Sequence, residues 1–500
     1  MSLIKKFNKL EGYTRYSFLV ILAFSIIVLS LTSIHRISGD ACWQLSVGRY
    51  VGSNFKVPLF EQLGRDEPFW APPLFHFIVG MVFSFFNIFS YSLANTAIKF
   101  ISPISGILTL VFSYLTIKKL SNPRIAFYSV LFLAFLPLLM DYSTFGYIES
   151  SVTFFVVLSV YFLVNGRVFL SSVAAGLGIL TKYNGIFIMP VLLYYIYKTR
   201  KNNIKLLWRN LLIAAFVPAL IAMPWLIRNW IVLGNPVWPF VNFIFKGLET
   251  ASYNYFKDFG DILTTKLMTF AYLGFFGVPE GNPAKLLFFD IPYLRLLLAA
   301  WFIGTLIFTL PLITGFFVKK PNVKHMLYAW IGSFLILFVI YVGNVNFSVS
   351  RIVMPAVPAL AVIWAFGFSR ILEMARFRKF VIIAFILIAS GFVLSEFVKI
   401  SLASSRWAFY EKDFEWANTN TEKSAIIMAG GQCLSYKFDR QTLTPKTEKI
   451  KKADYIWINQ NFRLDPKAVA EESVLLKIKE NNYKKVYENI QTGTIIYKVK

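Results

Sequence analysis

Residues 16–40 read YSFLVILAFSIIVLSLTSIHRISGD, an apolar run over residues 16–34 followed by a short polar segment that ends at Asp40. A run of roughly 20 apolar residues can cross the hydrocarbon core of a bilayer. Four basic residues precede it: Lys5, Lys6, Lys9 and Arg15. Because Lys and Arg are retained in the cytoplasm, the run predicts an uncleaved signal anchor with a cytoplasmic N-terminus and Asp40 outside.

The rest of the chain has the composition of a membrane protein. Of its 500 residues, 57% are hydrophobic, 18% aromatic and 15% charged, and water-soluble domains are more polar than this. The net charge is +25, but the basic residues lie between apolar runs. This distribution fits the positive-inside rule better than a phosphate-binding face, so we predict a lipid bilayer as partner and no nucleic acid.

The loops between apolar runs that are rich in Lys and Arg predict the topology of a multi-pass α-helical protein. Five of them fall on the cytoplasmic side if the chain crosses about 11 times, near residues 16–34, 97–117, 125–140, 150–165, 168–181, 184–197, 208–227, 293–317, 325–343, 352–369 and 380–398. The C-terminus is then outside the cell membrane. The apolar stretch Pro72–Ser90 must then be a re-entrant or interfacial helix on the outer face.

The composition changes after residue 399, which predicts two domains. Residues 401–500 carry 17 Lys and Arg and 12 acids, with short apolar runs at 424–428, 455–458 and 494–499 and a helical pattern at 469–481. We therefore predict a membrane domain over 1–399 and an extracytoplasmic soluble α/β domain over 400–500. The outer loop 35–95 begins with an amphipathic segment, Trp43–Val51, which predicts a helix in the membrane interface.

The first 400 residues contain 14 acids, and several of these fall in predicted outer loops. Asp40, Asp66 and Glu67 lie in the loop 35–95, and Glu149 follows Tyr142 in the next outer loop. Carboxylates near a bilayer are costly and usually face a cavity or a partner. The simpler interpretations are a solvated loop for the first group and a helix cap or an ion pair for Glu149.

Isolated cations complete the set of candidate site residues. Lys182 lies between two short apolar runs, where a desolvated lysine needs an anionic partner, either Glu149 or a phosphate. Arg228 and Arg351 carry guanidinium groups that suit phosphate oxygens, although both could simply extend to the membrane interface. Outer carboxylates and isolated cations beside lipid suit transfer of a sugar from a lipid phosphate, with a carboxylate as general base. A single displacement of this kind inverts the anomeric centre.

At these residues the chain resembles the GT-C membrane glycosyltransferases that use polyprenyl-phosphate sugars, in particular the protein O-mannosyltransferase and aminoarabinose-transferase-like group (glycosyltransferase family 39-like). The resemblance runs in order through residues 1–370. The matching features are Asp40 after the first span, the Pro72-Pro73-Leu74 motif, Tyr142 with Glu149, the Thr181-Lys182 turn, Pro224-Trp225 with Arg228-Asn229, and Arg351 ahead of Pro355 and Pro358.

The resemblance implies functions for these residues. Asp40 would be the catalytic base, and Glu149 and Lys182 would line the site for a polyprenyl-phosphate sugar donor and a lipid-linked, glycan or protein acceptor. The chain departs from the family pattern at Trp70 and Ala71, where an acid and a lysine usually precede the two prolines. Asp66 and Glu67 lie a few residues earlier, and Arg65, Lys182, Arg228 or Arg351 would replace the missing phosphate contact.

Two other classes of protein remain open at the sequence level. A lipid or oligosaccharide transporter or flippase would carry ionisable residues at mid-membrane, often in two related halves, and neither is found in the sequence. A polysaccharide polymerase or ligase would be expected to have a His-rich outer loop, and the chain has three His. We predict no bound metal, although Asp40, Glu67 and Glu149 offer the oxygen ligands that a divalent cation prefers. Cys42 and Cys433 match no metal or redox spacing and give no indication of compartment.

Overall fold

A computed structural model describes residues 11–59, 68–248, 276, 292–319, 321–342, 349–374, 376, 378–462, 464 and 469–499. The first 400 residues are mostly helical, as their apolar runs predict. The helices are α1 (Gly12–Ile34), α2 (Asp40–Asn54), α3 (Leu74–Asn87), α4 (Tyr91–Ile98), α5 (Ile101–Leu120), α6 (Pro123–Phe135), α7 (Pro137–Thr144), α8 (Glu149–Val164), α9 (Val168–Thr181), α10 (Met189–Arg200), α11 (Ile204–Leu233), α12 (Asn242–Phe245), α13 (Pro292–Phe317), α14 (Pro321–Val342), α15 (Val349–Ile352), α16 (Val357–Met374) and α17 (Arg378–Ala408).

The part of the chain that the structure describes has fewer helices that could span a membrane than the 11 crossings that the sequence predicts. Among the described residues, six helices are long and apolar enough to cross a bilayer, or seven if the bent pair α6 and α7 counts as one span. Several other predicted spans coincide with shorter helices, such as α8 with 16 residues and α9 with 14. At 1.5 Å per residue these are shorter than a hydrocarbon core of about 30 Å, so the count of 11 is not confirmed.

The bend between α6 and α7 follows from one proline. Pro137 cannot donate a backbone hydrogen bond and disfavours helical geometry at the residue before it. Leu136 is accordingly extended, with φ −76° and ψ 118°. The two helix axes differ by 59°, so the chain changes direction just before the segment that leads to Glu149.

The chain divides into two compact units. Unit 1 comprises Met1–Ser30, Ser102–Thr144 and Ile148–Val398, and unit 2 comprises Leu31–Ile101, Phe145–Tyr147 and Lys399–Lys500. Unit 1 has an apolar core in which Phe132, Phe308 and Trp364 pack ring against ring, 5.1–5.7 Å between centroids. The Trp364 indole N–H donates a hydrogen bond to the Phe308 carbonyl, so the buried polar atom of this side chain is satisfied.

Unit 2 contains the sheet that the C-terminal sequence predicts. Its elements after α17 are α18 (Glu411–Asn420), β1 (Ile426–Met428), α19 (Gln432–Phe438), β2 (Gln441–Leu443), β3 (Tyr455–Ile458), α20 (Glu472–Glu480), β4 (Lys484–Asn489) and β5 (Thr494–Lys498). The strand order is β2-β1-β3-β5-β4, parallel for the first three strands and antiparallel beyond β3. The three predicted strands and the predicted helix are confirmed, whereas β2 and β4 were not predicted.

Helix α2 belongs to unit 2 and differs from the amphipathic helix that the sequence predicts. Every residue from Ala41 to Arg49 is buried, because α3 and α19 pack against the helix. A disulfide joins Cys42 of α2 to Cys433 of α19. The helix that begins with Asp40 is therefore enclosed by protein and covalently tied to the C-terminal part of the chain, rather than exposed along one face.

Candidate active site

A buried carboxylate in unit 1 holds two cations. Glu149 has a side chain that is 1% exposed, and its Oε1 lies 2.6 Å from Lys182 Nζ and 3.7 Å from Arg351 Nε. The cationic side chains are 28% and 23% exposed. The carboxylate thus lies beneath two cations that remain accessible, and the three groups together carry a net charge of +1.

The folding of three segments brings these groups together. Glu149 is the first residue of α8, where the positive end of the helix dipole stabilises a carboxylate. Lys182 follows the last residue of α9 in an extended conformation, and a 3-10 turn at Tyr183–Ile188 begins directly after it. Within that turn, the Asn184 amide donates to the Ile352 carbonyl at 3.1 Å. This bond ties the Lys182 turn to the short helix α15 that carries Arg351.

A glycine explains why the Lys182 turn can pack so closely. A Cβ atom on Gly185 would lie 2.5 Å from the backbone carbon of Gly178, in the preceding helix. That approach is shorter than real Cβ contacts allow, and backbone atoms cannot move aside as the end of a flexible side chain can. Residue 185 therefore has to be glycine for Lys182 to keep its position above α9.

Arg228 takes part in a neighbouring network of unit 1. Its guanidinium donates to the Asn229 side-chain oxygen at 2.8 Å and lies 4.8 Å from the centroid of the Trp225 ring. The Tyr183 hydroxyl accepts hydrogen bonds from Trp225 Nε1 at 3.2 Å and Asn229 Nδ2 at 2.9 Å. Since Tyr183 adjoins Lys182 in the chain, this network fixes α11 against the Lys182 turn and places Arg228 beside it.

Asp40 lies in unit 2, and its position depends on the glycine before it. Asp40 is the first residue of α2, and Gly39 has φ 62° and ψ −147°, a conformation that is essentially restricted to glycine. A Cβ atom on Gly39 would also overlap the Tyr147 hydroxyl. Asp40 is partly buried, and its carboxyl group lies at the N-terminus of α2. The local fold therefore holds a carboxylate at a fixed place.

The remaining predicted site residues have different outcomes. Tyr142 lies on α7 and packs against the apolar core of unit 1. Asp66 and Glu67 fall outside the described residues, as does Arg65. In the parts of the chain that the structure describes, no group of three His, Cys, Asp or Glu side chains could hold a metal ion.

Sequence reasoning missed two features of these sites. The Cys42–Cys433 disulfide has a sequence separation of 391 residues, and an even number of cysteines was the sole signal for it. The Tyr183 hydroxyl also gave no signal, because a tyrosine among apolar residues is expected to pack in the core. Both features act on the positions of predicted residues, Asp40 in one case and Arg228 in the other.

A family model matches the part of the chain that carries the Lys182 turn. Residues 71–227 match the model described as dolichyl-phosphate-mannose-protein mannosyltransferase. The match includes the Pro72-Pro73 motif, Tyr142, Glu149 and Lys182, and it ends one residue before Arg228. No curated protein sequence matches the chain.

Solved structures with a similar fold cover nearly the whole chain. ArnT from Cupriavidus metallidurans in the apo state has a TM-score of 0.62 at 12% identity, covering 98% of this chain and 99% of ArnT. ArnT bound to undecaprenyl phosphate gives 0.59 at 14% identity, with 97% and 98% covered. The archaeal oligosaccharyltransferase AglB from Archaeoglobus fulgidus, in complex with an inhibitory peptide and a dolichol-phosphate, gives 0.56 at 13% identity, with 98% and 75% covered.

These similarities agree with the motifs from which the fold was predicted. The chain follows ArnT over almost its full length, including the C-terminal sheet region. The chain therefore shares its fold with ArnT and AglB, and the predicted resemblance to polyprenyl-phosphate-dependent membrane glycosyltransferases is confirmed.

Proposed function

We propose that this protein transfers a monosaccharide from a polyprenyl-phosphate donor to an acceptor at the outer face of the membrane. The observation that carries the proposal is the Glu149, Lys182 and Arg351 group, which combines a buried carboxylate with two accessible cations. The matched family is described by its use of dolichyl-phosphate-mannose, and ArnT binds undecaprenyl phosphate. A lipid phosphate is therefore the ligand class that this group fits best.

The charges of the group support binding of the donor phosphate. Lys182 and Arg351 would contact its oxygens through charge-assisted hydrogen bonds, and Glu149 would hold both cations in place without neutralising them. Arg228 lies in the network next to Lys182 and would add a further positive charge on the same side. In this proposal Glu149 positions the two cations and takes no part in proton transfer.

Asp40 supplies the general base of the proposed reaction. A single displacement forms a bond between the acceptor oxygen and the anomeric carbon and breaks the bond from that carbon to the phosphate oxygen. The proton of the acceptor hydroxyl passes to the Asp40 carboxylate, and the leaving group departs as polyprenyl phosphate. The reaction inverts the anomeric centre, and the cations stabilise the charge that develops on the phosphate.

The disulfide supports the proposed orientation of the chain. Disulfides persist in oxidising compartments outside the cytosol, and Cys42–Cys433 joins the segment after α1 to the domain after α17. In this proposal both segments lie on the same, oxidising side of the membrane. This agrees with an outer Asp40, a cytoplasmic N-terminus and an extracytoplasmic C-terminal domain.

A transporter or flippase is the alternative that the sequence left open. The solved structures of similar fold are ArnT and an oligosaccharyltransferase, so the fold likeness favours sugar transfer. The carboxylate with accessible cations also suits a phosphate that stays in one place during a reaction. We propose the substrates by class: the acceptor is a lipid-linked molecule, a glycan or a protein, and the sugar is a hexose or a pentose.

The test uses purified full-length protein and a panel of polyprenyl-phosphate monosaccharides, with release of lipid phosphate as the readout. Wild type should release lipid phosphate from at least one donor. Asp40→Asn should reduce turnover by about 10²-fold or more, as expected when a general base is lost, while donor affinity stays near wild type. Glu415→Gln is the matched control, because it removes the same charge from an exposed position of unit 2.

A second variant tests the phosphate site separately. Lys182→Ala should weaken donor binding by about tenfold or more, the usual loss of one charge-assisted hydrogen bond to an ionised group. Binding of polyprenyl phosphate alone measures this effect without turnover. Near-normal turnover of Asp40→Asn would refute the general base, and unchanged binding by Lys182→Ala would refute the phosphate site.

A further inference from the structure

Unit 2 contains a cluster of cationic side chains that the proposed transfer reaction does not use. We call His35, Arg36, Lys99 and Lys437 the His35 cluster. Its members come from three segments: the two residues after α1, the residue after α4, and α19. These segments are distant from one another in sequence. Arg36 and Lys437 both contact the last turns of α17, where the Arg36 backbone N–H donates to Ser404 Oγ at 3.1 Å and Lys437 Nζ lies over the Trp407 ring.

His35 is a buried member of this cluster, and its ring has no hydrogen-bond partner among the described residues. The residue is 1% exposed, and neither ring nitrogen forms a hydrogen bond with the described residues. Its ring packs edge-on against Phe145, 4.5 Å between centroids. Burial, followed by the charges of Lys99 and Lys437, lowers the pKa of His35 to about 3. The imidazole is therefore neutral, with one N–H donor that no described protein group accepts.

Lys437 also lies in an unfavourable environment for a cation. Its Nζ is 5.1 Å from the centroid of the Trp407 ring. Burial, followed by the positive charges of Arg36, Lys99 and Arg49, lowers the pKa of Lys437 to about 7. Lys437 is therefore about half protonated near neutral pH, because loss of its proton reduces the repulsion among the neighbouring cations.

Carboxylates balance a small part of the charge. Arg36 forms an ion pair with Glu411, and Arg49 is held by Asp439 at 3.6 Å and by the Tyr436 carbonyl at 2.9 Å. Among the described residues, no carboxylate lies within ion-pair distance of Lys99 or Lys437. The C-terminal 100 residues contain 12 acids. In a purely structural cluster, more of these carboxylates could have neutralised the cations.

We propose that the His35 cluster binds a phosphate-bearing anionic group, with Arg36, Lys99 and Lys437 supplying charge and His35 donating a hydrogen bond. With all three cations protonated, the cluster and Glu411 carry a net charge of +2, which attracts an anionic phosphate group. Arg36 lies two residues after the last residue of the apolar helix α1, and Lys99 lies at the junction of α4 and α5, within the apolar helical stretch Tyr91–Leu120. The ends of membrane-spanning helices lie at the level of lipid headgroups, which favours an anionic lipid as the source of the phosphate.

The test compares a charge-removing variant with a control of equal net charge. The variant is Lys99→Gln with Lys437→Gln. The control is Lys477→Gln with Lys485→Gln, two lysines of unit 2 whose side chains are 48% and 50% exposed. Full-length protein in neutral detergent is titrated with phosphatidylglycerol and phosphatidylcholine, followed by native mass spectrometry, and separately with inorganic phosphate, followed by calorimetry. No sugar donor is present, so the outcome does not depend on the proposed transferase activity.

We expect phosphatidylglycerol to bind wild type and the control equally and the variant at least about tenfold more weakly, with little binding of phosphatidylcholine. Lys437→Arg, which keeps the charge, should retain binding. A loss confined to inorganic phosphate would support the site and assign it to a soluble phosphate. The proposal is overturned if neither probe distinguishes the variant from the control. If the double variant does not fold, Lys99→Gln and Lys437→Gln are measured singly against the same criterion.

Discussion

Replacing Glu149 by Gln removes the negative charge beneath Lys182 and Arg351 and leaves the shape of the side chain almost unchanged. The two cations then face each other without the carboxylate that holds them. If Glu149 positions the cations, the variant should lose stability while keeping its affinity for a lipid phosphate, because the positive charge of the site increases. If Glu149 contacts the sugar or takes part in proton transfer, stability should change little and turnover should fall.

The geometry sets the size of the expected effect. At an effective dielectric constant of about 20, charges 2.6 Å apart attract by about 6 kcal/mol and charges 3.7 Å apart by about 4 kcal/mol. Desolvation of the buried carboxylate offsets much of this attraction, and breaking a buried pair typically costs about 3–5 kcal/mol. The cations are 28% and 23% exposed and can turn towards water. We therefore expect Glu149→Gln to lower the free energy of unfolding by about 3 kcal/mol.

A double-mutant cycle measures this interaction directly. Glu149→Gln, Lys182→Met and the double variant are unfolded in mixed micelles, and the free energy of unfolding is compared with that of wild type. The double variant should recover about 2 kcal/mol relative to the sum of the single variants, because neither Glu149 nor Lys182 is left charged without the other. Additive losses, with a coupling below about 0.5 kcal/mol, would refute the ion pair as the reason for Glu149.

Two further predictions concern unit 2. Replacing Cys42 and Cys433 by Ser should lower the free energy of unfolding by about 2–5 kcal/mol. In this cysteine-free variant, Glu415→Cys places a thiol at an exposed position of unit 2; a membrane-impermeant maleimide should label it from outside, and labelling from the cytoplasmic side alone would contradict the proposed orientation. Inorganic sulfate, which keeps its charge across this range, should bind wild type more tightly at pH 6 than at pH 8.5, because an anion favours protonated Lys437, whose pKa is lowered to about 7 by burial and then by Arg36, Lys99 and Arg49. Lys437→Arg should reduce this pH dependence, and a dependence equal to that of wild type in this variant would refute the assignment to Lys437.

Much of the helical architecture follows from the sequence because apolar runs are a strong local signal. The run at 16–34 becomes α1, and the proline at 137 both ends one helix and begins the next. The apolar strands β1, β3 and β5 follow in the same way. Strands β2 and β4 read QTL and KKVYEN, and such short or polar segments become strands because neighbours in the sheet offer hydrogen bonds, which no local pattern records.

The candidate site was predictable where a residue type is rare in its surroundings. Lys182 between apolar runs indicated an anionic partner, and the structure provides Glu149 at 2.6 Å. Arg351 was predicted from its guanidinium chemistry, but its approach to Glu149 depends on α15, a helix of four residues. The His35 cluster was not predicted, because Lys99 and Lys437 are two lysines among 51 basic residues and their meeting depends on tertiary packing.

The composition of unit 2 changes how the C-terminal domain should be understood. The sequence places a boundary near residue 400, which suggests a module added to a complete membrane enzyme. In the structure, residues 399–500 belong to the same compact unit as 31–101, α19 packs on α2, and the disulfide joins them two residues from Asp40. A chain that ended at residue 399 would expose the buried face of α2 and leave Cys42 unpaired. The C-terminal segment is therefore part of the support for the proposed general base.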